Sequence, residues 1–148
     1  MDIAALITWL VTALGGFYLL GTWISKGGLR QQQNGVSRLP SPAVFGHFAL
    51  AAIGLVVWIV YLVADKKALA WTALILLVPI ALLGFGMFAR WLPGHRAQAA
   101  APAVAPGVTD ETVPAERHFH ISVVLAHGLF AVITVVLVLL TALGIGSS

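Results

Sequence analysis

Four long apolar runs alternate with polar connections along this chain. The runs cover about residues 3–24, 43–64, 68–92 and 121–145. A helix needs about 20 residues to cross the roughly 30 Å hydrocarbon core of a bilayer, and each run meets that length. The pattern therefore predicts an all-α integral membrane protein, in which residues 1–148 form a single domain built as a four-helix transmembrane bundle.

The connections between the runs differ in length and composition. Glycine pairs and prolines within residues 25–42 predict a loop. The link Asp65-Lys66-Lys67 is so short that the second and third helices should form a tight antiparallel hairpin. Residues 93–120 are rich in alanine, proline and valine with no helical period, which predicts a mobile, extended loop.

The second half of the chain echoes the first. His47 aligns with His127 at an offset of 80 positions (127 − 47), and Gly16 aligns with Gly84 at an offset of 68 (84 − 16). Such matches are typical of a tandem repeat of one helical hairpin, related by an axis along the membrane normal. Apolar segments also resemble each other through composition alone, so a chance similarity without any repeat stays open as the alternative.

Composition supports the membrane class and removes several kinds of chemistry. Hydrophobic residues make up 60% of the 148 residues and charged residues 9%, whereas soluble domains carry about 25% charged residues. The absence of cysteine excludes disulfides, cysteine-bound iron–sulfur clusters and covalent haem attachment. No nucleophile–base pair, Walker loop or dinucleotide fingerprint supports a hydrolase or a phosphoryl-transfer enzyme.

The basic residues predict how the bundle sits in the cell membrane. Six Lys and Arg side chains lie at the end with the two longer connections, and only Lys66 and Lys67 lie at the other end. The positive-inside rule then places both long loops in the cytoplasm and both termini outside. The net charge of +3 indicates topology and contact with the lipid bilayer, not a nucleic-acid partner.

His47 and His127 are the candidate site residues. Each lies one to two turns inside its apolar run, and both runs start from the long-loop side. In an up-and-down bundle the second and fourth helices are parallel and diagonal, so the two imidazoles should face each other at one depth. Ionisable groups inside a membrane are costly and need a reason. The pattern predicts two axial metal ligands of one haem b held between these helices.

A ligating histidine needs a hydrogen-bond partner for its other ring nitrogen. No acidic residue lies within the two histidine helices, so the expected partners are the backbone carbonyls one turn back, at Ala43 and Val123. The alternative is two independent structural histidines, each neutral and bonded to a carbonyl or to interfacial water.

The chain resembles the cytochrome b561-like group, four-helix membrane proteins with histidines paired across helices. The resemblance covers the helical core and rests on His47 in FGHFALAA and His127 in LAHGLFAV. It implies a haem electron-transfer protein whose partners are quinone or other membrane protein subunits. Many members hold two haems on four histidines. The first and third runs here contain no histidine, so the resemblance implies a one-haem variant.

The remaining basic side chains have weaker assignments. Arg38, Arg90 and Arg117 share the histidines' side of the membrane and are candidates to pair with haem propionates, since a guanidinium suits a carboxylate geometrically. Topology and lipid contact are their usual role. His118-x-His120, together with His95, is a weak metal pattern, and three interfacial histidines are the favoured interpretation.

Two function classes therefore follow from the sequence, and neither settles whether the chain is an enzyme. The leading interpretation is a membrane b-type haem protein that takes part in electron transfer. The alternative is a non-catalytic helical subunit or scaffold of a larger membrane complex. A transporter or channel ranks third, because no acidic residue lies inside an apolar run.

Overall fold

The computed structural model describes residues 1–100 and 113–145. It confirms the all-α fold: four helices are long and apolar enough to cross a membrane, as in a multi-pass membrane protein. The elements in chain order are α1 (Asp2–Ser25), α2 (Gly28–Gln33), α3 (Ser41–Ala64), α4 (Lys67–Ala100), a 3₁₀ turn (Ala115–His118) and α5 (Ile121–Ala142).

The structure differs from the sequence prediction mainly in the connections. The predicted loop over residues 25–42 contains the short helix α2, and α4 continues through Pro93 to Ala100 instead of ending near residue 92. Alanine is the strongest helix former, and residues 97–100 are three alanines and a glutamine. The predicted mobile loop over residues 93–120 is therefore wrong at both ends, and its middle, residues 101–112, lies outside the described residues.

The helices pack as two antiparallel pairs. α1 lies along α5, as shown by the Asp2–Thr141 and Thr8–Thr134 hydrogen bonds, and α3 lies along α4 in the predicted hairpin. The hairpin turns at Asp65, which adopts a left-handed conformation with φ of 48°. We call the end with residues 25–42 the loop side and the opposite end the far side.

The buried side chains form two separate cores. The far-side core surrounds Trp9 and Trp58, and the loop-side core consists of Trp23, Leu39, Val44 and Ala115. Together with Leu77, Ile80 and Val138, the two tryptophans of the far-side core fill the bundle between the histidines and the far side.

Between these cores lies a level of the bundle whose residues are only partly buried. No residue is buried in 10–22 of α1, 45–53 of α3, 81–90 of α4 or 121–133 of α5. We call this level the histidine layer. At ~1.5 Å per residue it spans roughly 13 to 20 Å of bundle depth. Protein interiors are normally close-packed, so the histidine layer is packed less tightly than the two cores that flank it.

Hydrogen bonds around Glu116 close the loop side. The Glu116 carboxylate accepts hydrogen bonds from the Ser37 hydroxyl at 2.8 Å and from the Arg38 backbone amide at 2.6 Å. The Trp91 indole donates to the Glu116 carbonyl at 3.0 Å, and the Trp23 indole donates to the Ser37 hydroxyl at 3.1 Å. These bonds tie the 3₁₀ turn to α1, to α4 and to the segment before α3.

Candidate functional site

His47 and His127 meet across the bundle. Their ring centroids are 6.3 Å apart, and the ring planes are inclined by 59°. His47 lies six residues after the start of α3 and His127 six residues after the start of α5, a depth of about 9 Å along each helix. The pairing at a common depth that the sequence predicts is what the structure has.

Each ring is hydrogen-bonded to the helix that packs beside its own, His47 of α3 to α4 and His127 of α5 to α1. The Nδ1–H group of His47 donates to the carbonyl oxygen of Ile80 at 2.9 Å, and that of His127 donates to the carbonyl oxygen of Thr12 at 2.8 Å. Because a carbonyl only accepts, Nδ1 carries the hydrogen in both rings. The Nε2 atom of each neutral ring is therefore left with a lone pair that can bind a metal.

The sequence prediction that the carbonyls of Ala43 and Val123 accept the hydrogen bonds of the two rings is wrong. Those carbonyls lie one turn back on the histidines' own helices, whereas the observed acceptors lie on α4 and α1. The reason is the close packing of α3 on α4 and of α5 on α1, which brings a neighbouring backbone within reach of each ring.

Glycines permit this close packing. A Cβ atom added at Gly84 would lie 3.2 Å from Cε1 of His47, and one added at Gly16 would lie 3.2 Å from Cε1 of His127. Contacts that short are unfavourable, so any larger residue at either position would push the ring away. Two glycines that the sequence shows only as a match between the halves thus set the position of the two histidines.

The two histidines are held in matching ways. The offset of 68 that relates Gly16 to Gly84 also relates Thr12 to Ile80 (80 − 12), the two residues whose carbonyls hold the rings. His47 comes from the first predicted hairpin and is held by the second, and His127 comes from the second and is held by the first. The pair therefore joins the two halves of the chain.

The separation of the rings suits one shared metal ion. With a metal–nitrogen distance of about 2 Å, two imidazoles on opposite sides of one ion have centroids on the order of 6 Å apart. Within the described residues no group of three or more His, Cys, Asp or Glu side chains converges to hold a metal. Two ligands do not complete a tetrahedral zinc site, and they do fit an ion whose remaining ligands belong to a macrocycle.

The residues present fit a haem by three observations. The donors are two imidazoles whose Nδ1 atoms bond to carbonyls, the residues of the layer around them are only partly buried, and glycine backbone at Gly16 and Gly84 replaces side chains beside the rings. His127 also lines a shallow groove between α1 and α5 that opens on the outer surface of the bundle. Gly15 and Phe130 are among the other lining residues.

The three arginines named from the sequence come together on the loop side. Arg38, Arg90 and Arg117 line one narrow cleft, which also includes Trp91 and Glu116. The sequence offers no way to foresee Glu116 there, because it lies more than 70 positions from its partners Ser37 and Arg38.

The other histidines do not form a common site. His95 stacks on Trp91 at 4.7 Å between ring centroids, and His120 lies 6.4 Å from the ring of Tyr18. The Nδ1–H group of His118 donates to the Ala115 carbonyl at 3.3 Å. Each makes a contact of its own, as expected for interfacial side chains.

A polar cluster on the far side escaped the sequence analysis. The Asp2 carboxylate accepts hydrogen bonds from the Thr141 hydroxyl at 2.9 Å and from the Tyr61 hydroxyl at 3.4 Å, and the Trp58 indole donates to the Asp2 carbonyl at 3.3 Å. The sequence did contain one sign of this cluster, the single acidic residue Asp2 directly before the first apolar run. The cluster joins α1, α3 and α5 at the end away from the histidines.

Comparison with known proteins gives no match: no family model, no curated protein and no solved structure matches this chain.

Proposed function

We propose that this chain is a membrane b-type haem protein of electron transfer, with His47 and His127 as the two axial ligands of one haem. The observation that carries the proposal is the facing pair of rings. Their centroids are 6.3 Å apart, each Nδ1 is hydrogen-bonded to a backbone carbonyl, and both lie in the partly buried histidine layer.

The chain's own residues would hold and orient the cofactor. The Ile80 and Thr12 carbonyls keep each imidazole in the tautomer with Nε2 free, and the hydrogen bond strengthens the ring as a ligand. Gly16 on α1 and Gly84 on α4 let the rings of His127 and His47 pack directly against the helix backbones. The far-side core and the loop-side core lie on either side of the layer and separate it from the two ends of the bundle.

The bound haem would supply a one-electron couple. His47 and His127 would both be used to hold the haem, which favours electron transfer as its role. Arg38, Arg90 and Arg117, the arginines that the sequence predicts as partners of the haem carboxylates, share one cleft on the loop side, and the two histidines alone carry the proposed haem site.

A single centre limits the route of the electron. The bundle between the histidines and the far side is filled by side chains such as Trp58 and Val138. In the described part of the chain His47 and His127 are the one pair of histidines facing each other inside the bundle. Redox partners would therefore approach the loop side or the histidine layer itself, and quinone or a neighbouring membrane subunit are the proposed classes.

The proposed orientation in the cell membrane places the loop side in the cytoplasm. It follows from the six basic residues on that side, against Lys66 and Lys67 on the far side. The loop-side residues are Lys26, Arg30, Arg38, Arg90, Arg96 and Arg117.

The visible spectrum of the protein purified from haem-replete cells tests the proposal. We expect a low-spin, six-coordinate b-type spectrum in both redox states and about one haem per chain by pyridine haemochrome assay. Variants with His47→Ala or His127→Ala should lose this spectrum, and the matched control His95→Ala should keep it. A folded but colourless wild-type protein would reject the proposal and favour the alternative, a helical subunit or scaffold of a larger complex.

A further inference from the structure

The arginine cleft on the loop side has an unusual concentration of positive charge. Arg38 precedes α3, Arg90 lies on α4 and Arg117 lies in the 3₁₀ turn, so three separate segments bring their guanidinium groups to one cleft. Arg38 also approaches Arg90, whose Nη1 group donates to the Arg38 carbonyl at 3.5 Å. Like charges gathered in this way repel unless an anion lies between them.

The acid in the cleft lining does not balance these charges. Glu116 is only 3% exposed, and its two oxygens already accept hydrogen bonds from the Ser37 hydroxyl and the Arg38 backbone amide. Among the described residues no carboxylate lies within 4.0 Å of any of the three guanidinium groups. The Nε atom of Arg117 is buried without a hydrogen-bond partner. A buried donor on a charged group is costly to leave unpaired, so the cleft is incomplete as it stands.

We infer that Arg38, Arg90 and Arg117 form an oxyanion site that takes the phosphate of an anionic phospholipid from the loop-side leaflet. Guanidinium groups bind phosphate with paired, charge-assisted hydrogen bonds, and the exposed Arg38 and Arg90 side chains at the mouth of the cleft carry such donors. The cleft lies beside the start of α3 at Ser41, which places it where lipid headgroups meet the helix ends.

A haem carboxylate is the other source of an oxyanion at this depth. The exposure of the cleft favours the lipid, because the Arg38 and Arg90 side chains are exposed at the outer surface. The loop-side core of Trp23, Leu39, Val44 and Ala115 separately closes the bundle interior on this side. The lipid site does not depend on the haem proposal.

Thermal unfolding in detergent with added short-chain phosphatidylglycerol tests the site, and phosphatidylcholine is the zwitterionic control. We expect phosphatidylglycerol to raise the Tm of the wild-type protein more than phosphatidylcholine does, and salt to reduce this difference. Arg38→Gln, Arg90→Gln and Arg117→Gln should each remove at least half of the difference. The matched controls Arg30→Gln and Arg96→Gln lie on the same side outside the cleft and should keep it.

Two further arms separate the sources of the anion. The response to phosphatidylglycerol should persist in the haem-free His47→Ala/His127→Ala protein, and Arg117→Lys should retain part of it if Arg117→Gln fails to fold. An equal loss in the cleft variants and the controls would overturn the inference. It would also be overturned if cleft variants weakened haem retention while the lipid response stayed unchanged.

Discussion

His47 lies against Gly84 so closely that a Cβ atom at position 84 would come within 3.2 Å of its Cε1 atom. The same distance separates His127 from a Cβ built on Gly16. Two contacts of this kind, at positions related by one offset, show that the rings are placed by the backbones of the opposite hairpin. The geometry of the pair is therefore sensitive to a single methyl group.

Gly84→Ala and Gly16→Ala should each displace one ring and weaken the site. Overpacking of this kind costs about 1–3 kcal/mol, and we expect lower haem content and a lower Tm for both variants. Gly86→Ala and Gly21→Ala lie on the same two helices with nothing within 4 Å of the added Cβ. These controls should retain wild-type haem content. Equal haem loss in all four variants would show that the ring contacts are not the cause.

The two histidines should behave as one unit if they share an ion. His47→Ala should empty the site or leave a high-spin, five-coordinate haem, and His127→Ala should do the same. Adding the second substitution should then cost little more, because contributions from residues in one site are not additive. A double-mutant cycle on Tm, recorded together with the spectrum, measures this coupling.

Two independent structural histidines would give a different result in the same cycle. Each would lose its own hydrogen bond to Ile80 or Thr12, and the losses would add at about 1–2 kcal/mol for each membrane hydrogen bond. Additive losses with an unchanged spectrum would contradict the shared site.

Glu116 should be important for stability on the loop side. Glu116→Ala removes the acceptors of the Ser37 hydroxyl and the Arg38 amide in a buried setting, and each unsatisfied donor costs about 1–3 kcal/mol. We expect a clear fall in Tm for Glu116→Ala, a smaller fall for Glu116→Gln, and none for the exposed control Gln33→Ala. If Glu116→Ala unfolded at the wild-type temperature, the hydrogen bonds around Glu116 would not be what holds the 3₁₀ turn.

The arrangement of the helices across the membrane can be checked by labelling. The chain has no cysteine, so single cysteines at Ser25 and Lys66 give clean probes at the two ends of the bundle. Membrane-impermeant maleimide should reach Ser25→Cys from the cytoplasmic side and Lys66→Cys from the outside. Labelling of both positions from one side would contradict the four-span topology, and labelling in the reverse sense would contradict only the orientation.

The apolar runs by themselves determined much of the fold. Runs of bilayer length have few alternatives to membrane-spanning helices, since every backbone group must be hydrogen-bonded within the segment. The short link at Asp65 then makes α3 and α4 an antiparallel hairpin, and the equal offsets of His47 and His127 from their helix starts place both at one depth. These properties depend on lengths and local spacing, which a sequence states directly.

Tertiary structure alone decided what each side chain touches. The sequence predicts carbonyl acceptors on the histidines' own helices, and the structure supplies Ile80 and Thr12 from neighbouring ones. It also brings Arg38 beside Arg90 and buries Glu116 next to Ser37. These contacts depend on how each helix is rotated and how closely it approaches its neighbour. In an apolar segment that can face either lipid or protein, small residues such as Gly16 and Gly84 permit that approach, and their meaning is visible only when the partner helix is in place.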